Sequence, residues 1–177
     1  MNESDLELAM TELEVRPTTH IVSYRNRHYV QSAAKPTVLC FHAELDTHSH
    51  PPPTSDPTSY STFLASRPES LELAALELIT RLHAAHPALR LHVVHLSAAS
   101  ALPLVRAARA AGRPLTVETC FHYLCLSAED VPAGRPEWKC CPPVRGEANR
   151  AALWGADRKS TRLNSSHSGE SRMPSSA

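Results

Sequence analysis

Apolar positions along the 177 residues fall into two alternating rhythms, one helical and one extended. Residues 5–13 put Leu6, Ala9, Met10 and Leu13 on one helical face. Residues 37–41 (Thr37, Val38, Leu39, Cys40, Phe41) are a continuous apolar run, which predicts a strand buried on both faces of a parallel sheet. A long Pro/Ser/Thr/His-rich loop is expected from about residue 43 to 65. Ser66 and Glu69 then stand at capping-box spacing, with Pro68 tolerated in a first turn. The helix they predict carries Leu71, Ala74, Ala75, Leu78 and Leu82 on one face and stops before Pro87. Residues 89–96 read as the next strand, bearing Leu91, Val93 and Val94. Ala101, Leu104, Val105 and Ala108 mark a further helix that Gly112 ends, and residues 115–119 read as a third strand. The order α-β-α-β-α-β predicts parallel strands with helical crossovers. Periodicity leaves an open sheet and a barrel equally available.

Two stretches stand outside this rhythm. Residues 15–31 show no period of 2 or 3.6 and interrupt a helix-to-strand transition. They read either as an in-frame retained intron or as a native loop. From Asp157 the text changes to Ser, Arg and His with almost no apolar residue, which cannot contribute to a packed core. Asp157 to His167 back-translates, codon for codon, into a string that resembles a widely used sequencing adaptor, and Ser171 to Ala177 into one resembling its far end. Residues 157–177 are therefore expected to be a non-native disordered tail, and the biological sequence to stop near Ala156. The resulting division is a leading helix in residues 1–14, the uncertain stretch 15–31, an α/β unit over 32–156, and the tail.

Charge narrows the function classes. Eighteen basic and eighteen acidic residues cancel, so nothing points to nucleic acid as a partner. No apolar run has the length of a membrane span, and no apolar signal core follows the acidic start at Glu3 and Asp5. A cytoplasmic protein is expected. Five cysteines without disulfide-framework spacing fit reduced, buried thiols.

In parallel α/β proteins chemistry gathers at the C-terminal ends of the strands. His42 directly follows the first predicted strand and His95 ends the second, so two imidazoles from neighbouring strands can converge on one ion; a satisfied structural group or loop anchor is the alternative. His48 and His50 form a His-X-His pair, but beside Pro51, Pro52 and Pro53 they lack the strand geometry that suits such a pair to a metal. His83, His86 and His92 are expected at the surface or in packing. Cys120, Cys125, Cys140 and Cys141 contain no Cys-X-X-Cys spacing for a structural zinc.

A series of motifs in order adds what periodicity cannot. Phe41-His42-Ala43-Glu44-Leu45 is followed by Tyr60-Ser61-Thr62-Phe63-Leu64-Ala65-Ser66-Arg67-Pro68 and by His92-Val93-Val94-His95-Leu96-Ser97. Glu118-Thr119-Cys120-Phe121-His122-Tyr123-Leu124 and Lys139-Cys140-Cys141-Pro142-Pro143-Val144-Arg145 complete it. The series resembles the allantoinases, of the amidohydrolase superfamily that includes dihydroorotases and hydantoinases, over about residues 37–154. The resemblance implies a (β/α)₈ barrel, of which this chain would hold about strands five to seven, and an enzyme that hydrolyses the cyclic amide of allantoin to allantoate in purine catabolism. It implies two divalent metals, usually Zn²⁺, held by His-X-His, a carbamylated lysine, two further histidines and an aspartate. His42 matches the fifth-strand ligand and His95 the sixth. Cys141 matches a position whose backbone contacts the ring substrate, and a rigid turn is the alternative reading there. A small-molecule substrate and, often, a homo-oligomer are also implied.

Departures from the pattern are as informative. There is no strand-borne His-X-His and no terminal aspartate strand. The one lysine before His42 is Lys35, just ahead of the strand. With no general-base aspartate, no catalytic residue is assigned, and the chain alone is expected to be inactive. A dihydropyrimidinase- or dihydroorotase-like relative and a non-catalytic remnant are the alternatives. Genomic DNA at this locus is expected to encode a strand-borne His-X-His and a lysine upstream, and an aspartate-bearing strand downstream in place of the residues after Ala156. A genomic stop codon directly after Ala177, in frame with the same tail, would contradict this.

Overall fold

The structure, a computed structural model, describes residues 3, 4, 6–8, 10, 19–24, 27–32, 38–45 and 56–159, with backbone alone at 19–24, 27–32 and 157–159. Strands β1 (Thr19–Tyr24) and β2 (Arg27–Ser32) pair antiparallel, with Ile21 opposite Val30 and Val22 opposite Tyr29. A hairpin thus occupies most of the stretch 15–31 that offered no period. Pairing is a backbone property, and a strand without alternating side chains leaves nothing periodic to read.

The second sheet positions the site. Strands β3 (Val38–His42), β4 (Arg90–Val94) and β5 (Leu115–Val117) are parallel and lie side by side in chain order. Phe41, Leu91, Val93, Leu115 and Val117 face one core, shared with Ala75, Leu76, Ile79 and Leu82 of α2 (Glu69–Ala85) and with Leu102, Val105 and Ala108 of α3 (Leu102–Ala110). Chain-order adjacency with both crossover helices on one face is the repeating unit of a closed α/β barrel. A doubly wound sheet instead reverses strand order and carries helices on both faces. The opposite face carries Val38, Cys40 and His42 of β3 beside Arg90, His92 and Val94 of β4, and it is open to solvent at Cys40, His42, Arg90 and Thr116. The run 37–41 is therefore buried on one side only, because its second face belongs to this open surface.

Local signals explain most of the helices and correct two expectations. The expected loop from 43 to 65 contains a helix, α1 (Tyr60–Ser66), whose single buried side chain is Tyr60. The capping box at Ser66 does not form: Ser66 ends α1 and its hydroxyl donates to the Phe63 carbonyl, while α2 starts after Pro68 with no side-chain cap. Ser66 is already committed to the turn behind it, and Glu69 instead accepts from the Ser100 hydroxyl. At the end of α3, Gly112 has φ 74°, its N–H reaches the Arg109 carbonyl at 2.9 Å, and Arg113 N–H reaches the Ala108 carbonyl at 3.1 Å. That pair of bonds is the Schellman arrangement, which requires the left-handed conformation that glycine adopts without strain. Two further helices follow, α4 (Phe121–Cys125) and α5 (Glu147–Lys159).

The buried stripe of α2 is wider than its sequence pattern suggested, adding Glu72, Leu76, Ile79 and His83. Helical residues Leu6 and Met10 pack into the same core, and an Arg81–Glu3 ion pair of 2.6 Å ties their segment to α2. Glu72 is 1% exposed and pairs with Arg145, 6% exposed, at 2.8 Å. The Glu72 carboxylate also accepts the Ser97 N–H at 2.8 Å, the Ala98 N–H at 3.1 Å and the Ser97 hydroxyl at 3.0 Å. Arg145 donates onward to the Arg67 carbonyl at 3.1 Å. Asn149 of α5 clamps the same loop from outside, accepting from Ala99 N–H at 2.7 Å and donating to the Ser97 carbonyl at 2.8 Å.

All five cysteines are free, but none is buried: Cys40 lies on the open sheet face, Cys125 at the end of α4 and Cys141 in an exposed loop, with Cys120 and Cys140 half-covered. His92 is half-buried on the open face, where it contacts the Thr116 hydroxyl at 2.7 Å. Lys35, His48 and His50 lie outside the described residues, as does the expected tail beyond Lys159; the α5 backbone continues past Ala156 to that residue. No helix among the described residues is long and apolar enough to cross a membrane.

His83 is fully buried, its Nε2–H donates to the Leu89 carbonyl at 2.9 Å, and its Nδ1 has no partner. Burial holds its pKa below the ordinary imidazole value of 6.5. The unfolded chain therefore binds a proton more readily, and this residue's contribution to stability is present above pH 6.5 and lost as pH falls toward the folded-state pKa. Urea unfolding between pH 7 and 5 is expected to show stability falling by up to about 1.4 kcal/mol per pH unit from this group. His83→Gln should flatten that slope; an unchanged slope would contradict the assignment.

Candidate active site

Parallel pairing aligns the C-terminal ends of β3 and β4 at one edge of the sheet, with His42 opposite Val94. His95, one residue further on, is the single non-glycine residue among those described with positive φ, at 45°. Histidine tolerates this left-handed region better than most side chains, but the conformation still needs support from its surroundings. That support is on both sides of the following residue: Leu96 N–H bonds to the Glu118 carbonyl at 2.8 Å, and Ser97 N–H to Glu72. Where the strand turns, the two imidazoles meet. His42 Nδ1 and His95 Nε2 are 3.0 Å apart, with ring centroids at 4.7 Å and planes inclined by 69°.

The other nitrogen of each ring differs sharply in its surroundings. His42 Nε2 contacts Glu44 Oε2 at 2.9 Å, while His95 Nδ1 is buried without a partner. Burial, followed by the proximity of His42, pushes the His95 pKa down and favours the neutral imidazole. Glu44 is brought back toward His42 by a tight turn in which its own N–H reaches the His42 carbonyl at 3.0 Å. Its side chain is 4% exposed and also pairs with Arg67 through the same oxygen, Oε2. Burial alone would raise the Glu44 carboxyl, but the His42 contact and the Arg67 guanidinium outweigh it and hold the carboxyl below its usual range.

Cys141 opens the segment that continues through Pro142, Pro143 and Val144. Tyr123 donates to the Pro142 carbonyl at 2.7 Å and Tyr60 to the Val144 carbonyl at 3.0 Å, so two buried phenols pin the segment. Burial pushes the Tyr60 hydroxyl up to about 12, which keeps it a donor. Partial desolvation pushes the Cys141 thiol up, and it lies within electrostatic reach of Arg67 and Glu44, which act on it in opposite directions. The structure thus gathers His42, His95 and Cys141 around the Glu44–Arg67 pair. Those two residues were quoted in the sequence motifs without a role. The signal available for Glu44 was an acidic residue two positions after a strand-end histidine. Among the described residues, no group of three His, Cys, Asp or Glu side chains converges on a metal position.

No family model matches the chain. Individual proteins do. The chain is 48% identical over 137 residues to "Allantoinase, mitochondrial" of Aquarana catesbeiana, covering 76% of this chain and 28% of the relative. Against the allantoinase of Saccharomyces cerevisiae it is 44% identical over 142 residues (75% of this chain, 31% of the relative), and against that of Arabidopsis thaliana 40% over 149 residues (79% and 29%). Among solved structures, the L-hydantoinase of Arthrobacter aurescens superposes with TM-score 0.65 at 20% identity, over 87% of this chain and 31% of that one, a likeness of fold. The D-hydantoinase of Bacillus sp. AR9 superposes with TM-score 0.59 at 30% identity, over 68% of this chain and 27% of that one. The chain spans about three-tenths of the length of the curated relatives it matches. At 40–48% identity over three quarters or more of its length, the chain is homologous to a part of the allantoinases.

Proposed function

We propose that this chain is the part of an allantoinase that carries two neighbouring metal-ligand strands and the substrate-facing loop. In the whole enzyme it would serve hydrolysis of the cyclic amide of allantoin to allantoate, a step of purine catabolism. The observation that carries this reading is the facing pair His42 Nδ1 and His95 Nε2, 3.0 Å apart at the C-terminal edge of adjacent parallel strands. In the implied eight-stranded barrel, β3, β4 and β5 are strands five, six and seven, and the open sheet face is the barrel interior. The five free thiols support a reducing compartment such as the cytoplasm.

A divalent metal fits these residues as half of its shell. Two imidazole nitrogens facing at this distance need either a proton or a cation between them, and the depressed pKa of His95 favours the neutral, ligating form. Zinc, when bound, supplies polarisation of the ring carbonyl and a water of lowered pKa. The chain's own contribution is positional. His42 and His95 present their nitrogens, and the turn at His95 aims its ring at β3. The Cys141–Val144 segment, pinned by Tyr60 and Tyr123, offers its backbone to the ring substrate. A proton acceptor for the attacking water is not assigned to this chain, and two ligands do not complete a zinc shell.

The purified chain is therefore expected to hold zinc weakly and to show no turnover of allantoin. His42→Ala and His95→Ala should each lower zinc affinity about tenfold or more in calorimetric titration. Unchanged affinity in both variants would contradict the ligand assignment. A steady allantoinase rate abolished by a chelator would contradict the inactivity.

A further inference from the structure

We propose that Glu44, held by Arg67, is a positioning residue that fixes the tautomer of His42 and so selects Nδ1 as its metal-facing atom. The inference rests on the reading of His42 as a ligand and adds what determines which of its nitrogens ligates. A carboxylate can only accept a hydrogen bond, so the contact of 2.9 Å between Glu44 Oε2 and His42 Nε2 places the proton on Nε2. In a neutral ring the lone pair then lies on Nδ1, the atom that faces His95 Nε2.

Three features keep the carboxylate in this place. The turn from His42 to Glu44 is closed by a backbone bond of 3.0 Å between the Glu44 N–H and the His42 carbonyl. Leu45 N–H, one residue on, bonds to the Leu71 carbonyl of α2 at 3.0 Å and anchors the turn to the helix layer. Arg67 grips the same carboxylate oxygen, and its own backbone is held from behind by Arg145 at 3.1 Å. Glu44 is therefore a buried acceptor with one ring donor and one cation, while His42 itself remains half exposed toward the open face. Ligand histidines elsewhere are commonly oriented in this way through their second ring nitrogen.

The test uses ¹⁵N-histidine NMR on the metal-free 177-residue chain at a pH where imidazoles are neutral, followed by zinc titration. In the wild type His42 is expected as the Nε2–H tautomer. Glu44→Gln keeps an acceptor oxygen at the same reach and should retain it. Glu44→Asp withdraws the carboxylate by one methylene and should populate the Nδ1–H form, with zinc affinity about tenfold lower or worse. Glu44→Ala should behave like the aspartate variant, and the aspartate variant carries the test if the alanine variant does not fold. An Nε2–H tautomer and an unchanged zinc affinity in Glu44→Asp would overturn the proposal. A tautomer that shifts in Glu44→Asp, in a chain whose zinc binding ignores His42 and His95, would support the Glu44 role and overturn the ligand reading instead.

Discussion

The buried Glu72–Arg145 ion pair lies where four segments of the chain meet. Glu72 comes from the crossover helix α2, Arg145 from the segment after Pro142 and Pro143. Between them they bind the loop after His95 and the turn at Arg67. A buried charge without a partner costs several kcal/mol, so neither residue is tolerable alone. Together their hydrogen bonds saturate: the carboxylate accepts two backbone N–H groups, a hydroxyl and the guanidinium, and the guanidinium reaches Ser97 and the Arg67 carbonyl besides. Such a pair adds less to stability than to geometry. It requires that the loop, the turn and the proline segment occupy one relative arrangement.

The candidate site inherits that arrangement. His95 adopts a left-handed backbone conformation with only Leu96 between it and the two residues whose N–H groups Glu72 holds. Arg67, which steadies Glu44 and through it His42, is fixed at its carbonyl by Arg145. Both imidazoles thus connect to the same buried pair by short chains of hydrogen bonds, one from each side of the sheet edge. The open sheet face completes the picture. His92 meets the Thr116 hydroxyl there, with its Nε2 at 3.4 Å from Glu118, on a face that mixes these polar groups with Val38 and Val94 where the opposite face is wholly apolar. That division suits a wall with helices outside and chemistry inside.

The strands and their terminal histidines were legible in sequence because both depend on local text: apolar runs, and a polar residue where a run stops. Helix α3 was legible with its glycine terminus for the same reason. The turn to Glu44 and helix α1 were not, since α1 buries only Tyr60 and leaves no apolar stripe to read. Glu72 could have been found. It stands with Leu76, Ile79 and His83 on a second stripe of α2, and a carboxylate on an apolar stripe signals a buried partner elsewhere. The identity of that partner, Arg145, is 73 residues away and depends on tertiary packing alone. The family resemblance turned both histidines from candidates into ligand positions and brought Cys141 to notice, without naming what orients them.

Hydrogen exchange at the backbone amides of Ser97 and Ala98 tests the account most directly, because these two groups are the contact between the buried pair and the loop that presents His95. Loss of a hydrogen bond to a charged acceptor corresponds to about a tenfold or greater change in protection. Glu72→Ala is predicted to accelerate exchange at both amides by at least that factor, while Glu77→Ala, on the exposed side of the same helix, leaves it unchanged. Equal protection of Ser97 and Ala98 in wild type and Glu72→Ala would contradict the claim that this ion pair holds the site.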